Sequence, residues 1–149
     1  MSAGLVTFVL GEREYATPLS SIREVVRLEG LADLPGMTPP LAGVIDLRGS
    51  ALPVLDLRLG AGAAAGADAR GDVLVLEGED GQFVGVAVDK VRAVVDEAEL
   101  TDAGDAGQEL PPYVVQILKG DSGTVFLVDL PRMVESAREA PLQKAGPDA

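Results

Sequence analysis

Carboxylates are the commonest groups in this chain with chemistry to offer. Asp46, Asp56 and Asp89 each stand at the end of an apolar run. Two such acids brought together would suit hydrolytic acid–base work. The spacing pairs none of them, and each also suits a turn, where a short acid accepts from a backbone N–H. Asp102, Asp105 and Glu109 lie in TDAGDAGQE, but Gly104 stands where a calcium loop needs its second oxygen ligand. Ser20, Ser21 and Ser50 have no histidine to activate them, because the chain has no His and no Cys. Thiolate metal sites, disulfides and the commonest zinc ligand are therefore absent too. Gly60-Ala61-Gly62 lacks the preceding strand and following helix of a dinucleotide site, and no phosphate-loop lysine motif occurs. No catalytic residue, cofactor site or metal site emerges, and the expectation is a protein that is not an enzyme.

One cation stands out. In GVIDLRGSALPVLDLR, residues 43–58, Arg48 and Gly49 sit between two apolar runs. The pattern predicts a hairpin with Arg48 at its tip and Gly49 supplying a positive φ. Arg48 can pair with Asp46 or Glu24 in water, where such pairs contribute roughly 0–1 kcal/mol. It can equally anchor a partner, since a guanidinium binds carboxylates while its stem packs on apolar surface. Both readings stand at this point.

The elements that must position these residues are mostly strands. The chain has 149 residues, 47% hydrophobic but only 3% aromatic, so its core is built of Val, Leu, Ala and Ile. Strands are predicted at Leu5–Leu10, Tyr15–Thr17, Val25–Leu28, Asp72–Glu77, Gln82–Val88, Val91–Val95, Tyr113–Leu118 and Thr124–Val128, besides the pair flanking Arg48. Val84, Val86 and Val88 share one face. Val44–Leu47 and Leu52–Leu55 are apolar on both faces, which predicts burial on both sides. Pro53 cannot donate to a ladder and marks an edge or a bulge. A helical turn capped by Ser20 is expected over 18–24, loop over Glu97–Leu110, and a C-terminal helix over Leu130–Glu139. Leu59–Arg70 is a Gly/Ala linker, and 139–149 is expected to be a disordered tail. Gly43-Val44-Ile45-Asp46 and Gly85–Asp89 echo one another without by themselves establishing a repeat. About nine to ten short strands with two or three short helices predict an all-β barrel arrangement.

The net charge is -12. That opposes binding to nucleic acid phosphates and to anionic membranes. No apolar run approaches the ~20 residues of a membrane span, and the N-terminus lacks a basic n-region. A soluble cytoplasmic protein is expected.

The order of motifs resembles a known family. Leu5–Leu10, Tyr15-Ala16, IREVVR at 22–27, Leu34-Pro35, GVIDLRG at 43–49, LPVLDLR at 52–58, VLVLEGEDGQFVGVAVDKV at 73–91, Tyr113 and FLVDLPRMVE at 126–135 follow in series. Together they are similar to CheW-like coupling proteins of bacterial chemosensory arrays. The resemblance runs from about Leu5 to Glu135. It implies two packed five-stranded SH3-like barrels with short helices and a C-terminal helix, in one CheW-like domain over 5–138. It implies a non-catalytic adaptor without cofactor, coupling cytoplasmic chemoreceptor tips to a CheA-type histidine kinase through that kinase's regulatory domain, recruited to membrane-associated arrays and able to join rings of its own kind. A non-flagellar pathway, for surface motility or development, is the alternative. With no kinase core, phosphorylatable His or receiver domain in the chain, the stand-alone adaptor is expected.

The resemblance places a receptor site at Glu24 and Arg48, close together beside an inter-lobe groove, with Ile22, Val25, Val91 and Val94 as its apolar positions. A purely structural Arg48–Glu24 pair remains the alternative. The kinase-binding residues are unknown. One departure is Asp46, where the family has Asn; it could hold Arg48 or compete for it.

Overall fold

The computed structural model describes residues 4–33, 35–36, 40–57, 70–78, 80–104, 110–121 and 123–139. Most of the Leu59–Arg70 linker, Asp105, Glu109, Leu34 and residues 140–149 of the expected tail lie outside the described residues. In chain order the elements are β1 (Gly4–Leu10), β2 (Arg13–Pro18), β3 (Glu24–Arg27), β4 (Leu41–Leu47), β5 (Ser50–Asp56), β6 (Asp72–Glu77), β7 (Phe83–Val88), β8 (Lys90–Asp96), β9 (Thr101–Asp102), β10 (Val114–Gly120), β11 (Gly123–Val128) and α1 (Leu130–Glu139). Short 3-10 turns at Leu19–Ser21 and Glu97–Glu99 join β2 to β3 and β8 to β9.

The strands form two sheets, ordered β8-β1-β2-β11-β10-β9 and β3-β6-β7-β5-β4. Each sheet holds one parallel pair, β11 with β2 and β5 with β7. Each also curls closed. In the first, β8 continues through the Glu97–Glu99 turn into β9, so one bent strand pairs with β1 on one side and β10 on the other. In the second, the chain beyond β3 reaches Ala32, which bonds reciprocally with Val44 of β4. Counting each bent strand once gives two five-stranded barrels, A and B. The bend explains why eleven strands appear where about nine to ten were expected. The stretch Glu97–Leu110, expected as loop, supplies the turn and β9. A two-residue strand is too short to show a period.

Both-face burial is what locks the barrels together. Along β6, Val73 and Val75 fill barrel B while Leu74 and Leu76 enter the core between the barrels. On β5, Leu52 and Val54 point into barrel B and Leu55 points out to the shared core. Val6 and Phe8 of β1, Val86 and Val88 of β7, and Val128 meet there, and Val84 packs against them. Leu5, Ala16, Leu118, Val125 and Leu127 fill barrel A. Leu130, Met133 and Val134 of α1 cover the shared core. Asp129 starts that helix, accepting at Oδ1 from the Arg132 N–H at 3.1 Å. Pro53 precedes the Val54–Asp56 stretch that pairs with β7, so β5 is paired on one side only where its donor is missing.

The barrels are related by a pseudo-two-fold. The β4–β5 and β10–β11 hairpins both close with two-residue tips, and both β4 and β10 carry a bulge near their start. Aligning the tips carries Leu52, Val54, Leu55 and Asp56 onto Val125, Leu127, Val128 and Asp129, and each apolar pair has matching burial. The true repeat is therefore Val54-Leu55-Asp56-Leu57 against Leu127-Val128-Asp129-Leu130. The expected echo instead joins β4 to β7, which are not equivalent.

Close approach is needed at Gly43, whose φ is 149°, because a Cβ there would collide with the Ala32 carbonyl that closes barrel B. Gly11, in the β1–β2 turn at φ 65°, has open space around it. Gly43→Ala is expected to lower unfolding free energy by at least about 2 kcal/mol, and Gly11→Ala by about 1 kcal/mol. Urea unfolding measures both; equal losses would contradict the closure at Ala32.

Candidate functional site

Two edge strands bound a groove over the shared core. β3 ends one sheet and β8 ends the other, and neither bonds to the other. Ile22 and Val91, which precede or open these strands, pack on the shared core. A Cβ built on Gly4 would lie 3.4 Å from Leu19 and 3.9 Å from Val94, so the entry to β3 abuts the end of β8. At the other end, the Val91 N–H donates to Asp72 Oδ2 at 2.8 Å, and Asp72 is the Cα partner of Arg27. The strands therefore run antiparallel across the groove. Val25 stands beside Leu74 and Val94 beside Val6, both core residues, yet Val25 is 42% and Val94 62% exposed. The sequence reading missed Leu19, 44% exposed on the same surface. It lies inside the 3-10 turn, and one residue of a turn carries no period to reveal its face. Ser20 does not cap this turn: Pro18 is the cap position and no side chain caps it.

Over the mouth of barrel B, Arg48 and Glu24 meet. Arg48 Nη1 donates to Glu24 Oε1 at 3.0 Å and Nη2 to Oε2 at 2.6 Å, a two-pronged pair. The hairpin from barrel B and the first residue of β3 are thus joined across the barrel mouth. The Arg48 side chain is still 68% exposed. Asp46 does not compete for it; its Oδ1 accepts from the Gly49 N–H at 2.9 Å and holds the turn. Arg48 itself has φ 51° and Gly49 φ 91°. These are type I′ values. Glycine alone was expected to need a positive φ here; the arginine adopts one too, against the ordinary preference of its type.

The Arg48 hydrogen bonds hold the Glu24 carboxyl below its ordinary range, opposed by its desolvation and helped by the charges of Arg48 and Arg23. The same bonds push the Arg48 guanidinium up. Arg23 adds a cation over the Phe83 ring, 5.7 Å from its centroid, with Glu77 at 3.8 Å.

Two of the other candidate acids hold turns. Asp89 Oδ2 accepts from the Gly11 N–H at 2.6 Å, and Asp102 Oδ1 from the Gly104 N–H at 2.8 Å. Asp56 is buried at the end of β5. Among the described residues, no group of three or more acids, His or Cys is placed to hold a metal ion, and no helix is long and apolar enough to cross a membrane.

The chain matches the family model described as CheW-like domain over residues 4–138. It is similar to the chemotaxis protein CheW of Helicobacter pylori, 28% identical over 90 residues, 60% of this chain and 54% of that protein. It is also similar to CheW of Treponema pallidum, 26% identical over 96 residues, 61% of this chain and 56% of that protein. The chain thus spans little more than half the length of the curated relatives it matches here. The crystal structure of the scaffolding protein TtCheW from Thermoanaerobacter tengcongensis aligns with a TM-score of 0.68 at 26% identity, covering 87% of this chain and 86% of that one.

Because the folded-state pKa of Glu24 is depressed, its pairing stabilises above the ordinary value of 4.5 and is lost as pH falls through the lower folded value. In an NMR titration, the Glu24 carboxyl is expected to titrate below 4.5 in the wild type and to move up in Arg48→Asn. An unchanged midpoint in the variant would mean that the pair does not persist in solution.

Proposed function

Since the chain belongs to the CheW-like domain family, we propose that it is a non-catalytic, cytoplasmic adaptor of chemotaxis signalling, coupling the helical tip of a chemoreceptor to the regulatory domain of a CheA-type kinase. The working unit is the CheW-like domain over 5–138. The observation that carries the receptor half is the groove between β3 and β8. Val25 and Val94 leave apolar surface open on both its walls, beside residues of the shared core. Helices that dock in grooves present an apolar stripe at i, i+3, i+4 and i+7. Ile22 and Val91 form the floor such a stripe would meet, and Glu24 with Arg48 offers charge at the rim. Anchors of this kind, exposed apolar side chains beside an arginine, concentrate binding energy. The relatives' names, chemotaxis protein and scaffolding protein, support the same reading.

A receptor-tip hairpin and the kinase regulatory domain should be titrated against the wild type, Val94→Asp and Arg48→Asn. Val94→Asp is expected to weaken tip binding by more than about tenfold, and Arg48→Asn by about tenfold, with kinase binding held. Asn keeps a side chain that tolerates the left-handed turn. Tip binding unchanged in both variants would remove the groove from the receptor site. A wild type that binds neither partner would remove the coupling function.

A further inference from the structure

We infer that an extra residue built into each wall of the groove, Arg23 in one and Arg92 in the other, turns that wall's apolar pair onto one face, and that Asp72 of barrel B is the positioning residue that holds the Arg92 bulge in place. This rests on the docking reading above and adds to it how the anchors are presented.

Both walls carry the same local pattern, Ile22-Arg23-Glu24-Val25-Val26 and Val91-Arg92-Ala93-Val94-Val95. In each, the two apolar residues of the groove stand three apart. A regular strand puts residues so spaced on opposite faces, because its side chains alternate. Here they share a face. Val91 stands beside Phe8 and Val94 beside Val6, both members of the shared core. The β1–β8 ladder passes from Phe8–Val91 directly to Thr7–Ala93, so Arg92 is the extra residue of a bulge. On the other wall, the Arg23 N–H donates to the Val75 carbonyl at 2.8 Å, although Val75 is the Cα partner of Glu24. Two residues of that wall thus oppose one of β6, which is again a bulge. It lies between Ile22, packed on the shared core, and Val25, beside Leu74.

Three side chains pin the β8 bulge. The Val91 N–H donates to Asp72 Oδ2 at 2.8 Å. Arg92 Nε lies 3.6 Å from Glu14 Oε2. Thr7 Oγ1 donates to the Ala93 carbonyl at 3.3 Å. Thr7 and Glu14 act from within barrel A, whereas Asp72 acts from barrel B. It opens β6 and is the Cα partner of Arg27 on the facing wall. Since β3 and β8 share no ladder, this bond sets the Val91 end of one wall against the end of the other. Strands disfavour aspartate, and this one is half-buried. Its carboxylate supplies a charge-assisted acceptor that no ladder provides there. Without it the Val91 N–H loses its partner, and the extra residue is free to shift along β8. A shift of one residue turns Val94 off the face it shares with Val91.

Asp72→Asn keeps an acceptor oxygen at this place, and Asp72→Ala removes it. A receptor-tip hairpin and the kinase regulatory domain are titrated against both variants, and hydrogen exchange of the Val91 amide is read alongside. In Asp72→Asn, exchange and tip binding are expected to stay within about twofold of the wild type. In Asp72→Ala, the Val91 amide is expected to exchange at least about tenfold faster and the tip to bind about fivefold more weakly, with kinase binding held. If Asp72→Ala does not fold, Asp72→Glu, which sets its carboxylate one methylene further out, takes its place with the same losses expected. Tip binding that matches the wild type despite faster exchange, or Val91 exchange that does not change, overturns the inference and leaves the groove as the docking site. Equal weakening in the Asn and Ala variants would assign the effect to charge, and equal loss of tip and kinase binding to general stability; either overturns it too. A tip that does not bind the wild type at all overturns the docking reading and this inference with it.

Discussion

Everything in this molecule depends on strands that are buried on both faces. Neither barrel is large, and the chain has few aromatics with which to fill one. The solution is to let the same strands serve two cores. β6 shows it most plainly: Val73 and Val75 fill barrel B, while Leu74 and Leu76 bind the barrels together. Gly85 marks how tight this is, since a Cβ there would approach Val73 Cγ1 to 2.5 Å. Packing at that density leaves no slack inside barrel B for a larger residue at this position.

The same constraint creates the groove. A shared core between two curled sheets must end somewhere, and here it ends at β3 and β8. β8 is not a free, flat edge. The bulge between Thr7 and Phe8 interrupts the β8 ladder, and Asp72 occupies the Val91 N–H. Edges blunted in this way resist adding another strand. What they leave open is side-chain surface, at Leu19, Val25 and Val94, and that surface suits a helix better than a strand. The left-handed turn at Arg48 belongs to the same arrangement. It aims the guanidinium back across the barrel mouth to Glu24, and a residue held in that backbone region is one the surrounding structure must over-determine.

Much of this was legible. The alternation-free run at 52–55 announced burial on both sides and divides between two cores as that pattern requires; the same expectation for 44–47 fails, because in β4 only Ile45 of that run is buried, while Val44 is half-buried and Asp46 is exposed. The C-terminal helix followed from the spacing of Leu130, Met133 and Val134. The nearness of Glu24 and Arg48 came from the family resemblance; no spacing rule joins residues on a turn and a strand so far apart in sequence. The illegible parts share a cause. The Glu97–Glu99 bend, β9 and Leu19 occupy too few residues for a period to develop. The pseudo-two-fold was hard to see because few of its pairs are identical: Leu52 stands opposite Val125, Val54 opposite Leu127 and Leu55 opposite Val128, and what each pair shares is burial.

On the function proposed here, the β3–β8 groove receives a helical partner. Methyl chemical shifts of the valine, leucine and isoleucine side chains during titration with a receptor-tip hairpin test it most directly. The largest shifts are expected on Leu19, Ile22, Val25 and Val94, while Val115 on β10, 62% exposed like Val94, stays still. Shifts centred on Val115, with Val25 and Val94 unmoved, would contradict it.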